Sequence, residues 1–481
     1  MASSWQLRTS AAVSQQVLQE DVMHRFPRCI VTFVVSSLLL MFAACGGSSK
    51  SNNPPPAGAK VTIRPSTAAP VVNQPVQFTA TVTGLSNTAV TWAVQENTGG
   101  TVNAGLYQAP WANGTYHVVA TSVADPTKSA TATVAVSAVF GFLERLPNGI
   151  SWPWSVTPVL GTFGANGTFS TKSIIDSSTG LPKDGPIWSV FLSADGKKAV
   201  FDMATTDSWG FSTVNVYSAN SDGTGITQLT FNQPEDNYFD WLPAISQDGK
   251  KIVFSHENDN VSPWTEMIYA MNADGTGMSL VFGTPGTLAW TPSFSPDGKT
   301  IIAEVQQQIG SDWYDGVATM DTYGHNVVQL TGQYDPACNA SWDEMPSFSN
   351  DGTQIHFSRV CYTPSGVYTD TVYTMSADGT SLMKLHGDGA TFMSTQPRPV
   401  GDKIVFASNV DFPYTDQLDL YSIKPDGSGL TRLTNNTLFD SFSVTWMNRS
   451  SADVAQKQTL SPIQKRTQHR KELQERRGTR R

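Results

Sequence analysis

Between residues 60 and 138, apolar and polar positions alternate in short runs, VTIRPS, VQFTATVTG, AVTWAVQE, GTYHVVATSVAD and SATATVAVSA, separated by Gly, Asn and Pro. A period of two sends successive side chains to opposite faces, so each run predicts a strand with one face buried and one in water. Trp92 is the natural core anchor of this stretch, with Phe78, Tyr116 and Val118 arriving from neighbouring strands. No cysteine pair spans these strands, which leaves their stability to the core between sheets.

From about residue 140 a longer period takes over. The phrase SFSPDGKTIIAEV at 293 returns as FLSADGKKAVFDM at 191, AISQDGKKIVFSH at 244, SFSNDGTQIHFSR at 347 and, altered, PVGDKIVFAS at 399. Their aspartates, Asp195, Asp248, Asp297, Asp351 and Asp402, are spaced by 53, 49, 54 and 51 residues. A second phrase falls between them: VYSANSDGTGITQLT at 216, IYAMNADGTGMSLV at 268, VYTMSADGTSLMKL at 372 and LYSIKPDGSGLTRLT at 420. The copy at 317, VATMDTYGHNVVQLT, has lost its Asp-Gly. Each period thus holds two hairpins with Gly-containing turns, hence four short strands. Four strands repeated at this period predict propeller blades. The run FDSFSVTWMNR at 439–449 reads as another first strand with no partners after it, while residues 140–185 supply strands with none before them. A sixth blade closed by one C-terminal strand and about three N-terminal ones is therefore expected, with seven blades as the alternative count.

Composition adds two constraints. At 481 residues the chain exceeds one ordinary domain. Of the formal charge of −9, residues 450–481 contribute nine Lys/Arg against three Asp/Glu, or +6, so everything upstream carries −15. An acidic folded part argues against nucleic acid as a partner. The tail QKRTQHRKELQERRGTRR has no apolar stripe to bury and reads as disordered.

The N-terminus is an address. In MHRFPRCIVTFVVSSLLLMFAAC at 23–45, Arg25 and Arg28 precede an apolar stretch from Ile30 to Ala44 that ends in small residues. This is an export signal rather than a membrane span. Residues 1–22 fit no part of it, and GGSSKSNNPPPAG after it is a flexible tether. The segment MFAACGG resembles a bacterial lipobox, with Phe42 where Leu is usual. That resemblance implies lipid attachment at Cys45 and, with Gly46 rather than Asp next, an outer-membrane lipoprotein facing the periplasm or the cell surface. The phrases VTWAV, GGTVNAGLYQAP and GTYHVVATSVADPTKSATATVAV resemble bacterial immunoglobulin-like domains, which implies a spacer between anchor and main domain. The paired Asp-Gly phrases resemble the TolB-type β-propeller, whose blades carry SPDG and DADGSG-like turns. The expected fold class is all-β, an immunoglobulin-like β-sandwich followed by a six-bladed β-propeller. The expected order is signal segment 1–45, linker 46–59, sandwich 60–138, propeller 139–449 and basic tail 450–481.

Topology then assigns motifs to faces. In a four-stranded blade the first and third turns share one end, so both Asp-Gly turns crowd one face. Gly supplies the positive φ and Asp the turn acceptor, so these read as plain turns rather than calcium loops. The opposite face receives the long, divergent loops TTDSWGF at 205, ENDNVSPW at 257, GSDWYDG at 310, YTPSGVYTD at 362 and NVDFPYTDQ at 409. Each couples Asp with an aromatic, which suits a surface for peptides, proteins or sugars. Candidate residues on the loops are Trp209, Trp264, Trp313, Tyr314 and Tyr414, the plainer reading being that they only pack blade rims. Nearer the axis, Trp241, Trp290, Asp343, Glu344, Gln396 and Asp440 are expected to approach the mouth of the central channel.

Cys338 and Cys361 fall on the loop face of one blade, where an oxidising compartment favours a disulfide over two free thiols; Cα separation decides. There is no G-x-S-x-G and no H-E-x-x-H, and His256, His325, His356 and His386 have no common spacing. No cofactor and no metal are expected. The expected role is a non-catalytic, lipid-anchored platform for an envelope protein or peptide, since TolB-type propellers bind envelope lipoproteins and protein toxins. The alternative is a carbohydrate-active lyase or glycosidase using carboxylates of the loop face.

Overall fold

The computed structural model describes residues 58–145, 156–175, 187–206, 212–233, 236, 238–258, 265–284, 288–309, 312–332, 338, 340–363, 368–387, 391–413, 417–435 and 440–441. Every named element among them is a β-strand. Cys45, Trp209, Trp264 and Tyr414, and the side chains of Trp313 and Asp440, lie outside the described residues.

Residues 60–136 form three small sheets. One orders Thr67–Ala68, Ser129–Val136, Gly114–Ser122 and Val90–Val94; a second pairs Lys60–Arg64 with Thr79–Thr83; the third orders Pro75–Gln77, Leu106–Gln108 and Thr101–Asn103. The predicted alternation holds on the long strands, where Val118, Ala120, Ala132, Val134 and Val136 are fully buried between half-buried neighbours. Phe78 and Tyr107 occupy the centre edge to face, with ring centroids 6.2 Å apart, and the Tyr107 hydroxyl donates to the Gly99 carbonyl at 2.7 Å. Trp92, expected as the anchor, is only partly buried. Its strand ends its sheet, so neighbours cover it from one side alone.

Six four-stranded antiparallel sheets follow. Blade 1 comprises Ile187–Leu192, Lys198–Thr206, Ser212–Asn220 and Thr227–Gln228; blade 2 comprises Tyr238–Ile245, Lys251–Asn258, Thr265–Asn272 and Ser279–Phe282. Blade 3 comprises Leu288–Phe294, Thr300–Ile309, Asp312–Asp321 and Val328–Gln329; blade 4 comprises Ala340–Phe348, Gln354–Tyr362, Tyr368–Ser376 and Met383–His386. Blade 5 comprises Ser394–Val400, Lys403–Ser408, Asp419–Ile423 and Thr431–Arg432. In blade 6 the C-terminal Asp440–Ser441 pairs with Ala138–Arg145 at Glu144 and Leu143, ahead of Val156–Phe163 and Phe169–Ser173. The chain is thus a six-bladed β-propeller whose two ends are stitched within one sheet, which leaves no open innermost edge there.

Blades pack face to face, so their second strands are buried on both sides, as in the burial of Ile252 to Ser255. Val200 and Val216 of blade 1 meet Ile252 and Phe254 of blade 2; Ile302 and Val317 of blade 3 meet Ile355 and Phe357 of blade 4. Burying each such side chain stabilises by about 1.5–3 kcal/mol relative to exposure.

The repeated turns are built as the sequence implies. In blade 3 the Ser295 hydroxyl donates to Asp297 Oδ1 at 2.7 Å, that oxygen accepts the Lys299 N–H at 3.1 Å, and Ser295 Oγ accepts the Thr300 N–H at 3.0 Å. The other turn type repeats in blade 2, where Asp274 Oδ1 accepts both the N–H and the hydroxyl of Thr276. In blade 3, where Tyr323 replaces that aspartate, Asp321 two residues earlier accepts the N–H groups of Tyr323 and His325, each at 2.9 Å. The turn survives because the acceptor moved.

The altered phrase of blade 5 marks a contact. Its turn shrinks to Gly401 and Asp402 between paired Val400 and Lys403. A Cβ at Gly401, whose φ is +63°, would stand 3.0 Å from the Trp111 carbonyl oxygen and 3.1 Å from Ala138. The N-terminal sheets pack there: Lys403 Nζ donates to Asn113 Oδ1 at 3.5 Å, and Asn113 donates to the Gly164 carbonyl at 2.8 Å. One hydrophobic core runs from the N-terminal sheets into blades 6, 1, 2 and 5.

Candidate binding face and channel wall

The innermost strands carry a shared device. Leu242, Thr291, Met345 and Gln396 have φ of +52°, +52°, +53° and +59°, and each precedes a proline. A left-handed conformation is rare for non-glycine residues and costs on the order of 1–3 kcal/mol where it is held. At each one the pairing with the second strand slips by a bulge, between Trp241 and Ala244, Trp290 and Ser293, Glu344 and Ser347, and Thr395 and Arg398. At three of the four, the backbone N–H that the bulge frees is taken up by the previous blade. Asp202 Oδ2 accepts from Leu242 at 2.7 Å, Ser255 Oγ from Thr291 at 3.2 Å, and Ser358 Oγ from Gln396 at 2.9 Å.

Asp202 does more than the serines. Its Oδ1 also accepts the N–H groups of Trp188 at 2.9 Å and Ser189 at 2.7 Å, and its Oδ2 the Ser189 hydroxyl at 2.9 Å. Full burial pushes its carboxyl up to about 6, against the pull of these donors. Sequence reasoning missed this seam. The available signal was the proline three residues ahead of each turn, Pro243, Pro292 and Pro346 before Ser246, Ser295 and Ser349.

The expected channel-mouth residues are in the wall instead. Trp241, Trp290, Asp343, Glu344 and Gln396 are 5%, 1%, 1%, 0% and 1% exposed, so none is displayed. Trp241 Nε1 donates to Glu266 at 3.0 Å, Glu344 accepts from Trp342 Nε1 at 2.6 Å, and Asp343 takes a two-point contact from Arg359 at 2.6 and 2.9 Å. Adjacent blades cover the innermost strands, and a side chain facing the next blade is buried however close it stands to the axis. Asp440 pairs with Glu144 in the closing strand, Trp313 pairs with Gln308, and Tyr314 is half-buried opposite Gln307.

What the loop ends do present is a different set. In blade 2 His256 lies between Tyr238 and Tyr269, with ring centroids 5.2 and 4.7 Å away; its Nδ1 meets Asp240 at 2.6 Å, and Asn232 donates to the other Asp240 oxygen at 2.7 Å. Blade 4 places Tyr362 against Trp342 at 5.8 Å, and blade 5 has Phe392 5.4 Å from His386 and Phe412 5.0 Å from the Arg432 guanidinium. Tyr238, His256, Tyr269, Tyr362, Phe392 and Phe412 are all half-buried. Phe231, ahead of blade 2, is 68% exposed and Ile309, ending the second strand of blade 3, 45%. Cys338 and Cys361 are joined in a disulfide at this end of blade 4, with Cα atoms 5.5 Å apart.

Aromatic bodies held against carboxylates and an imidazole give contact area with little side-chain entropy to lose. The Asp240–His256 pair fixes an imidazole ring, the orienting half of an acid–base arrangement. His356 is unrelated to it: buried inside blade 4 and bonded to Thr374 Oγ1 at 3.0 Å, it is held neutral, its pKa lowered by burial to about 4. Among the described residues no group of three or more His, Cys, Asp or Glu could hold a metal ion.

No protein-family model matches the chain, and no curated protein matches it. Solved structures do. The chain is similar to TolB from Acinetobacter baumannii at 17% identity over 69% of this chain and 79% of that one, with a TM-score of 0.45. A putative TolB from Agrobacterium tumefaciens matches at 17% identity over 64% and 90%, with a TM-score of 0.40. Oligogalacturonate lyase from Vibrio parahaemolyticus matches at 7% identity over 76% and 87%, with a TM-score of 0.37. The blade count and the closure rest on this chain's own strand pairing.

Proposed function

We propose that this protein is a non-catalytic binding platform of the bacterial cell envelope, tethered through Cys45 to the outer membrane. In this reading the propeller engages an envelope protein or peptide on its loop face, and the sandwich, of immunoglobulin-like type, is a fixed support. One contrast carries the proposal: the carboxylates of the channel wall are engaged by protein donors, Asp202 across the seam to blade 2 and Asp343 and Glu266 within their own blades, while half-buried aromatics gather at the loop ends. An acid or base catalyst must exchange its proton with a substrate, and Asp202 and Asp343 are instead enclosed by protein donors. The export signal and the tether after it support the address.

Affinity capture from detergent-solubilised envelopes tests this, comparing wild type with a Phe231→Ser/Tyr238→Ala variant on the loop face and Asp274→Ala on the opposite one. Only the loop-face variant should lose the captured partner, by about tenfold or more for two contact residues. Equal recovery by all three would place binding elsewhere. Cys45→Ser should move the protein from the membrane to the soluble fraction; unchanged partition defeats the anchor.

A second reading, carbohydrate-active catalysis, draws on the Asp240–His256 pair beside Tyr238 and Tyr269. It predicts new reducing ends from acidic oligosaccharides, abolished by His256→Ala.

A further inference from the structure

Between the rims of blades 2 and 3, on the short-turn face, lies an open groove of about 340 Å³, at the small end of the roughly 300–1,000 Å³ of small-molecule sites. Its lining joins apolar side chains of the strands, Ala270, Phe294 and Ile301, to the turns of both blades.

Tyr323 stands at its edge. In blades 1, 2, 4 and 5 the equivalent residue is Asp222, Asp274, Asp378 or Asp426, and each accepts the N–H two residues on. Asp321 has taken over that work in blade 3, so position 323 is released from it. The side chain that fills it is an aromatic ring left 78% exposed, which no demand of the turn explains. The turn beneath the ring is held firmly. A Cβ on the next residue, Gly324, would run into the Val281 carbonyl oxygen of blade 2, whereas at Gly275 and Gly379 the nearest atom is 3.2 Å away. Close packing on blade 2 therefore keeps Tyr323 beside the groove.

Charge narrows the ligand. Asp248 pairs with Lys250 at 3.6 Å and Asp297 with Lys299 at 3.3 Å, while Lys251 donates to Asn272 Oδ1 at 2.8 Å. The Thr276 hydroxyl and N–H, with a smaller pull from Lys251, hold the Asp274 carboxyl below its ordinary value. Three lysines thus balance three aspartates, and the groove offers no net field to an anion or a cation. The N–H groups of Gly249, Gly298 and Gly324 each bond within their own turns at 2.9 Å, so these donors are closed to an extended peptide, which binds through its backbone. What the groove offers is the polar side chains of Gln247, Ser279 and Thr322 beside an aromatic face. A sugar ring matches that set, since its C–H faces meet the electron-rich face of tyrosine and its hydroxyls both donate and accept.

We infer that the groove between the rims of blades 2 and 3 binds a short neutral saccharide, stacked on Tyr323 with its hydroxyls toward Gln247, Ser279 and Thr322. The site is separate from the loop face and does not depend on a partner there.

Saturation-transfer NMR on the full chain tests this with maltose, cellobiose, lactose and N,N′-diacetylchitobiose, beside digalacturonate, the glucosamine disaccharide and the peptide Gly-Ser-Gly-Ser. At least one of the neutral disaccharides should bind with a Kd below about 10 mM, about tenfold or more tighter than the charged sugars or the peptide. Tyr323→Asp should fold as wild type does and lose about tenfold or more of that affinity, Tyr323→Phe should keep most of it, and Gln247→Ala should weaken it. Phe231→Ser/Tyr238→Ala and His256→Ala should bind the sugar as wild type does, which separates this site from both readings of the loop face. No binding of any neutral disaccharide to about 10 mM, a preference for a charged sugar or the peptide, or an unchanged Tyr323→Asp would each overturn the inference.

Discussion

The turns at the rim and the seams between blades solve one problem with one kind of bond. In both, a side-chain oxygen accepts backbone N–H groups that a bend has released. At the rim the acceptor is two residues from the donor, as Asp297 to Lys299, and water reaches both. At the seam Asp202 serves Leu242, forty residues on and in the next blade, with water excluded. The difference lies in what replaces the bond when it is broken: water can take over at the rim and nothing can at the seam.

Asp202→Ala should therefore have the largest effect. It strands three buried N–H groups and the Ser189 hydroxyl, at about 1–3 kcal/mol each, for a net loss on the order of 4 kcal/mol after local relaxation. Urea unfolding of this variant beside Asp274→Ala, where an exposed carboxylate accepts from Thr276, measures the contrast directly. Similar midpoints for the two would erase the distinction between seam and rim.

The disulfide comes next. Cys338 and Cys361 are 23 residues apart, and removing a cross-link over such a loop costs about 3 kcal/mol. The double serine variant should unfold at correspondingly lower denaturant. A change under about 1 kcal/mol would mean that the loop end of blade 4 is held well without it.

The seam also has a pH signature. The Asp202 carboxyl is raised from 3.8 to about 6, so its contribution is fully present at low pH and is lost as pH rises through about 6. The His356 pKa is lowered from 6.5 to about 4, so its contribution is present above 6.5 and lost as pH falls toward 4. Between about 4 and 6 the two oppose each other, each worth on the order of 3 kcal/mol. Melting temperature against pH should be nearly flat there for wild type, climb on acidification for His356→Gln and drop on acidification for Asp202→Asn. Parallel profiles for the two variants would show that neither group titrates as its burial demands.

The smallest effect is expected at the rim of blade 3. Tyr323→Asp restores the missing Asp-Gly, yet Asp321 already accepts both freed N–H groups and Tyr323 is 78% exposed. Stability should stay within about 0.5 kcal/mol. A larger gain would show that the relocated acceptor is a poor substitute.

Much of the fold was legible because its signals are local. The Ser and Asp of each turn act within six residues, so the same letters recur wherever the same bend is needed. The closing strand could be inferred from an unmatched run at each end, and Glu144 opposite Asp440 is that pairing. The seam was hidden because its column varies: Asp202, Ser255, Glu304, Ser358 and Ala407 occupy equivalent places on the second strands. Trp241, Trp290 and Asp343 misled for a related reason. Aromatics next to carboxylates look alike in sequence whether the partner is a ligand or, as for Trp241, Glu266 of the same blade.

The sequence by itself determined the strands, the turns, the fifty-residue period and the closure, since each depends on residues within one hairpin or on the need to pair a leftover edge. Only the tertiary structure decided which side chains are enclosed. Whether Trp241 faces solvent depends on the neighbouring blade. Burial is set by surfaces far apart in the chain, and no local pattern of residues records it.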